Sequence, residues 1–154
     1  MNLFRLMETS GSAMQAERMR AEVVAANMAN AETTHTESGG PYKRQHVVFA
    51  ANRADEAFFH SLNNAASQPA LNSDTEPAGG VHVAQVIEDT APPLKRYDPG
   101  HPDAGPDGYV AYPDINPLAE MVDLMGATRA YGLNSSAVQA EKGMITSALE
   151  IVRS

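Results

Sequence analysis

The chain has 154 residues, enough for one domain, with a formal charge of −8, no Cys, no Trp and 6% aromatics. The acidic balance excludes a nucleic-acid or anionic-membrane partner, either of which needs a basic patch. The missing cysteines exclude disulfides, a thiolate nucleophile and a Cys-based metal site. Apolar content of 43% leans on Ala, which buries little area per side chain, so an elongated subunit that completes its core with neighbours is expected.

Proline organises the chain. All ten Pro lie between Pro41 and Pro117, and a proline inside a helix costs about 3 kcal/mol. Residues 1–40 and 118–154 are therefore free to be helical, and the centre is not. The expected organisation is an N-terminal helix and turn over 1–40, a central β/loop region over 41–113 and a C-terminal helix over 114–154, in one structural unit. The fold class that follows is α+β, mainly helical. Its two long terminal helices pair as an antiparallel coiled coil around a small central β-hairpin region and a long irregular loop.

The first helix is predicted from about Asn2 to about Ala31. Met7, Met14, Ala21 and Met28 recur every seven residues, and Leu3, Ser10, Val24 and Ala25 widen the stripe. Glu17 interrupts it, and Ser10-Gly11-Ser12 is a weak spot that bends or starts the helix. Arg5, Glu8, Glu17, Arg18 and Arg20 interrupt any apolar signal region, so no cleaved leader is expected. No apolar run approaches the ~18 residues of a membrane span.

Three short strands are read in the centre: His46–Phe49, Val81–Ile87 with Val81, Val83 and Ile87 on one face, and Tyr109–Tyr112 entered through Asp107-Gly108. Residues 52–80 are read as mostly irregular. The last helix starts at Asn116 as N-cap and Pro117 as first helical residue, with Glu120 and Asp123 at the positive end of its dipole. Leu124, Tyr131, Val138, Ile145 and Val152 then repeat every seven residues, the pattern of a seam that faces a partner helix. Asn134 is placed to bond across that seam and fix its register. Gly126, Gly132 and Gly143 stand inside the helix, either for close approach of a second helix or tolerated by packing.

Chemistry is scarce. None of His35, His46, His60, His82 and His101 has a metal-ligand spacing. Glu88 and Asp89 are adjacent on a strand and point to opposite faces, so they share no site. Asp98-Pro99-Gly100-His101-Pro102-Asp103 reads as a turn. The Gly pairs fit no phosphate loop, no Ser stands in a nucleophile elbow, and Met at helical spacing is packing. No catalytic residue, metal, cofactor or small-molecule substrate is expected.

The stretch Val24-Ala25-Ala26-Asn27-Met28-Ala29-Asn30-Ala31-Glu32-Thr33 resembles the N-terminal box of the bacterial flagellar rod and hook axial proteins, with Asn27, Ala29, Asn30 and Thr33 at the motif positions. Asn116, Glu120-Met121-Val122, Met125, Arg129-Ala130-Tyr131 and Asn134 are similar to the partner box at the other end. Pro41-Tyr42-Lys43-Arg44, Gly80-Val81-His82-Val83, Tyr97-Asp98-Pro99-Gly100-His101-Pro102 and Gly108-Tyr109-Val110 follow the order found in rod members. Leu133 stands where that family usually has Ala, and the segment from about Asn52 to Ala78 looks longer than usual.

The resemblance implies a building block of the periplasmic rod, exported through the flagellar type III apparatus without cleavage. It also implies neighbours among FlgB, FliE, FlgF, FlgG and further copies of the same subunit. The seam expected to meet them is Met7, Met14, Ala21 and Met28 with Leu124, Tyr131, Asn134, Val138, Ile145 and Val152. A generic coiled-coil adaptor or chaperone explains the seams but not the ordered central boxes. A small hydrolase would need a convergent acid, base and nucleophile that the chain does not show.

Overall fold

The computed structural model describes residues 3–52 and 79–153. Helix α1 spans Leu3–Ala29 and helix α2 spans Pro117–Arg153. Between them lie β1 (Gln45–Ala51), β2 (Val81–Glu88), β3 (Leu94–Tyr97) and β4 (Tyr109–Tyr112). The strands form two separate two-stranded antiparallel sheets, β1–β2 and β3–β4.

Each helix ends where local chemistry stops it. Asn116 Oδ1 accepts the backbone N–H of Leu118 at 3.0 Å and of Ala119 at 3.4 Å, as an N-cap does for amides that have no helical carbonyl. At the far end of α1, Asn30 Nδ2 donates to the Ala26 carbonyl at 2.9 Å, and Thr33 Oγ1 donates to Asn30 Oδ1 at 3.1 Å. These bonds occupy helix-end acceptors and turn the chain toward Tyr42, whose N–H reaches the Thr33 carbonyl at 3.0 Å.

The two helices run antiparallel side by side. Ser10 lies against Glu141, Arg20 against Asp123 and Asn27 against Glu120. The buried residues of the two helices are small or polar for the most part: Ser10, Ala16, Val23, Val24 and Asn27 on α1, which packs on both α2 and sheet β1–β2, and Glu120, Ala127 and Glu141 on α2. Ala16 and Ala127 leave the backbones free to approach.

Sheet β1–β2 packs against α1. Ser12 Oγ accepts the Val81 N–H at 3.1 Å, so the Ser10–Ser12 segment expected as a weak spot instead anchors the start of β2 inside an unbroken helix. Gly80 has φ +108, and a Cβ there would lie 2.7 Å from Ser12 Oγ, so only glycine lets the strand come this close. A bulge follows: Val48 faces Gln85 but Phe49 faces Val83, leaving Ala84 extra. Beyond it the faces exchange. Val86 lies across from Val47, on the face shared by Phe49, Val83, Ala51 and Val81, and Ile87 lies across from His46 on the other. The expected single face of Val81, Val83 and Ile87 is thus corrected by one inserted residue.

The third expected strand is β4. Its partner β3 was not legible, because Pro92-Pro93 before it and Pro99 after it mask a four-residue strand. The ladder closes with the Asp98 N–H on the Gly108 carbonyl at 3.0 Å, and the Tyr97 and Tyr109 rings meet edge to face at 5.3 Å. Gly108 (φ +75) admits the Tyr97 ring, which a Cβ would meet at 2.8 Å. The Asp98–Asp103 segment is a turn, as read: the His101 N–H bonds the Asp98 carbonyl, and the Asp103 N–H bonds His101 Nδ1. Thr34 Oγ1 donates to Asp103 Oδ2 at 2.7 Å and ties this turn to the segment after α1. Of the long loop expected over 52–80, residues 53–78, including His60, lie outside the described residues.

Candidate assembly surface and polar joint

One side chain joins helices and sheet. Asn27 is 1% exposed near the end of α1 and uses both ends of its carboxamide. Oδ1 accepts the Gln45 N–H at 2.9 Å and the Tyr42 hydroxyl at 3.2 Å. Nδ2 donates to the Gln45 carbonyl at 2.9 Å and to Glu120 Oε2 at 3.1 Å. A carboxamide carries a donor and an acceptor side by side, as a peptide group does. Asn27 therefore pairs with the first residue of β1 as a neighbouring strand would.

The Glu120 carboxylate is 1% exposed and would be costly alone. Arg44 offsets it, with Nε at 2.7 Å and Nη2 at 2.5 Å from Oε1, while Oε2 takes Asn27. Asp123 stands one turn on, 4.0 Å from Arg44 and 3.3 Å from Arg20 of α1. Buried ion pairs need such hydrogen bonds on every oxygen to offset desolvation. Burial, with Glu88 and Glu120 close by, pushes the Tyr42 phenol above its ordinary 10.0. Asp89, beyond β2, is held below its ordinary 3.8 by the Ala91 N–H and by His46. Both oxygens of Glu120 and both ends of the Asn27 carboxamide are thus paired within the joint.

The helical seam residues fall as follows. Met7, Met14, Ala21 and Met28 are half-buried and flank the buried row Ser10, Ala16, Val23, Val24 and Asn27. Leu124, Asn134, Val138 and Ile145 are half-buried on α2, and Tyr131 is 44% exposed. The side chain of Val152 lies outside the described residues. The row at the centre of the α2 seam is Glu120, Ala127 and Glu141, which repeats every seven residues with Asn134 and stands four residues, about one turn, before the apolar row. Asn134 does not reach across. Its Nδ2 donates to the Ala130 carbonyl of its own helix at 2.9 Å, the local bond a short polar side chain makes when nothing opposite competes. Of the other box residues, Asn30 and Thr33 shape the turn, and Ala29 is exposed.

Two carboxylate oxygens lie buried in this seam without a hydrogen-bond partner among the described residues, Glu17 Oε2 and Glu141 Oε2. Glu141 keeps only a 3.5 Å contact from Ser10 Oγ on its other oxygen. The opposite face of α2 has the inverse character. Leu118, Val122, Met125, Leu133, Met144 and Ile151 are all more than half exposed, on the side away from α1. Gly126, Gly132 and Gly143 have no atom of the described residues within 4 Å of an added Cβ, so they serve no close approach among those residues.

Among the described residues no group of three His, Asp or Glu could hold a metal ion, and no helix is long and apolar enough to cross a membrane. Sequence reasoning quoted Asn27 and Arg44 only as parts of family boxes, and Glu120 as a box residue and as an acid in the first turn of α2. The signal that links them is a polar residue at an inward position of each helix.

Comparison with known proteins agrees with this layout. The pattern of the family "Flagella basal body rod protein" matches residues 7–34, which is most of α1 and its turn. That of "Flagellar basal body rod FlgEFG protein C-terminal" matches residues 107–151, which is β4 and most of α2. The flagellar basal-body rod protein FlgC of Bacillus subtilis is 38% identical over 155 residues, covering 98% of this chain and 99% of its own length. FlgC of Borreliella burgdorferi is 35% identical over 163 residues, covering 99% of both, and FlgC of Escherichia coli O6:H1 is 34% identical over 151 residues, covering 98% of both. At this identity along the whole chain, the protein belongs to the FlgC family of flagellar basal-body rod proteins.

Proposed function

We propose that this chain is a non-enzymatic structural subunit of the bacterial flagellar basal-body rod. The observation that carries the reading is the inverted distribution of its helices. Small and polar residues fill the seam inside the chain, and the large aliphatic side chains of α2 face outward. Large aliphatic side chains gathered on one exposed helix face mark a protein contact. Many copies of α1–α2, packed through it by head-to-tail contacts, form a helical tube.

Within that reading the rod is the proximal, periplasmic one, and the subunit reaches it through the type III export apparatus without a cleaved leader. Its neighbours are FlgB, FliE, FlgF, FlgG and further FlgC copies. Torque passes through packed contacts rather than any chemical step. The flanking residues Met7, Met14, Ala21, Met28, Leu124, Tyr131, Val138, Ile145 and Val152 complete coiled-coil packing once neighbours are present. The adaptor alternative accounts for paired helices but not for FlgC likeness along the whole chain. The test is complementation: a strain lacking its own FlgC swims again with this chain, and isolated basal bodies contain it. Immotile cells with the chain expressed but absent from basal bodies refute the reading.

A further inference from the structure

The two small sheets each leave an edge open. In β1–β2, the Asp89 N–H bonds the Arg44 carbonyl at 2.7 Å, and the pairing Gln45↔Glu88, His46↔Ile87, Val47↔Val86 alternates from there. Residues of an antiparallel pair alternate between bonding the partner strand and facing away. Val86 and Glu88 therefore present their N–H and C=O outward, along an edge whose side chains from Ala84 to Glu88 are all exposed. The outer edge of β1 is different, because Asn27 already occupies it at Gln45.

In β3–β4, the Asp98 N–H bonds the Gly108 carbonyl, so Lys95 and Tyr97 face outward on β3. All four side chains of β3 are exposed, and no other strand or helix lies against this ladder among the described residues. Isolated two-stranded sheets are marginal, and open edges are normally blunted. Here neither edge carries an internal Pro, and no helix or strand covers either among the described residues.

We infer that β3 of one copy pairs antiparallel with the free edge of β2 on a neighbouring copy, joining the two hairpins into one sheet across subunits. The register follows from the outward residues. Setting Lys95 opposite Glu88 sets Tyr97 opposite Val86, so one alignment matches a cation with an anion and an aromatic with a β-branched residue, both favourable cross-strand pairs. Among the described residues Glu88 is held by an exposed contact with Lys43 at 3.6 Å, which a neighbour can replace. Within one chain the two strands do not pair, although only residues 89–93 separate them; Pro92-Pro93 hold that link extended. A second copy is thus the partner the edge fits, and donor and acceptor edges on one molecule make the contact head to tail.

The inference rests on the rod reading, and its test separates the two. The chain has no cysteine, so V86C and Y97C are each single-thiol variants. Paired residues at an outward, hydrogen-bonded position lie about 5.5 Å apart at Cα, within disulfide reach. The two variants are co-expressed in cells lacking their own FlgC, and basal bodies are isolated and oxidised. The expected result is a dimer that forms only when both variants are present. A parallel charge swap uses E88K and K95E. Each alone lowers the amount of chain in basal bodies, by up to about fivefold per contact, and the double variant restores it. Normal basal bodies holding both thiol variants without the mixed dimer, or single swaps without effect, overturn the edge pairing alone. Absence of the unsubstituted chain from basal bodies overturns the rod reading and the inference with it.

Discussion

Replacing Asn27 by Ala removes the one side chain that touches both helices and β1. Four hydrogen bonds disappear, three to neutral groups and one to the Glu120 carboxylate. A neutral bond contributes about 0.5–1.5 kcal/mol net and one to a charged group about 1.5–3 kcal/mol. The partners left behind are largely buried, so little is recovered from solvent, and such contributions do not add fully. The expected loss is about 3–5 kcal/mol, a large share of the 5–15 kcal/mol typical of a domain. Urea unfolding of the purified chain, followed by circular dichroism, measures it as a shift in midpoint at constant slope. Asn27→Asp is the control for volume. It keeps the shape but sets a second carboxylate against Glu120 Oε2 and the Gln45 carbonyl, and it is expected to be at least as damaging as Ala. A loss below about 1 kcal/mol for Ala, or an Asp variant as stable as the parent, refutes the assigned role of the carboxamide.

Other expectations follow from the same packing. Glu141→Gln removes a buried charge that has no ionic partner among the described residues; the free chain gains about 1–2 kcal/mol in the same urea assay. Leu133→Asp on the outer face leaves that midpoint within about 0.5 kcal/mol but abolishes swimming. Ala127→Leu, at a position with no exposed surface, overpacks the seam and lowers stability by about 1–3 kcal/mol. The Tyr42 phenol is raised in the fold, so the folded state binds its proton more tightly than the unfolded one; stability present below pH 10 declines as pH rises through the folded value, and Tyr42→Phe removes that part of the decline. In amide exchange on the dilute chain, residues 4–22 exchange faster than the amides around Asn27, Gln45 and Glu120, because only the latter are locked by a satisfied polar cluster.

The helices were legible because proline is confined to the centre and Asn116-Pro117 writes a start that the structure uses. The strands near 46, 81 and 109 were legible from their β-branched and aromatic runs. What escaped reading depends on partners distant in sequence. The seven-residue apolar rows gave the correct period but not which side faces α1, since periodicity fixes a stripe and not its neighbour. Glu120 and Glu141 lie in the seam because Arg44 and Ser10 meet them there, and nothing near either residue in the sequence announces those partners. Ile87 changed faces through one bulged residue, and β3 was too short to show among prolines. Asn134 was read as a cross-seam bond and turned to its own helix. Asn27, quoted only as a motif position, proved to be the joint.

The thin seam between α1 and α2 has a mechanical consequence. The buried apolar side chains of the two helices among the described residues are Ala16, Val23, Val24 and Ala127, and Glu17 Oε2 and Glu141 Oε2 lie buried without a hydrogen bond, the first 3.7 Å from Arg20. Cohesion between the helices therefore comes from small side chains and polar contacts rather than from large aliphatic ones. In the rod assembly proposed above, stiffness would then be drawn from contacts between copies, where each outward leucine and methionine of α2 gains a surface to press against.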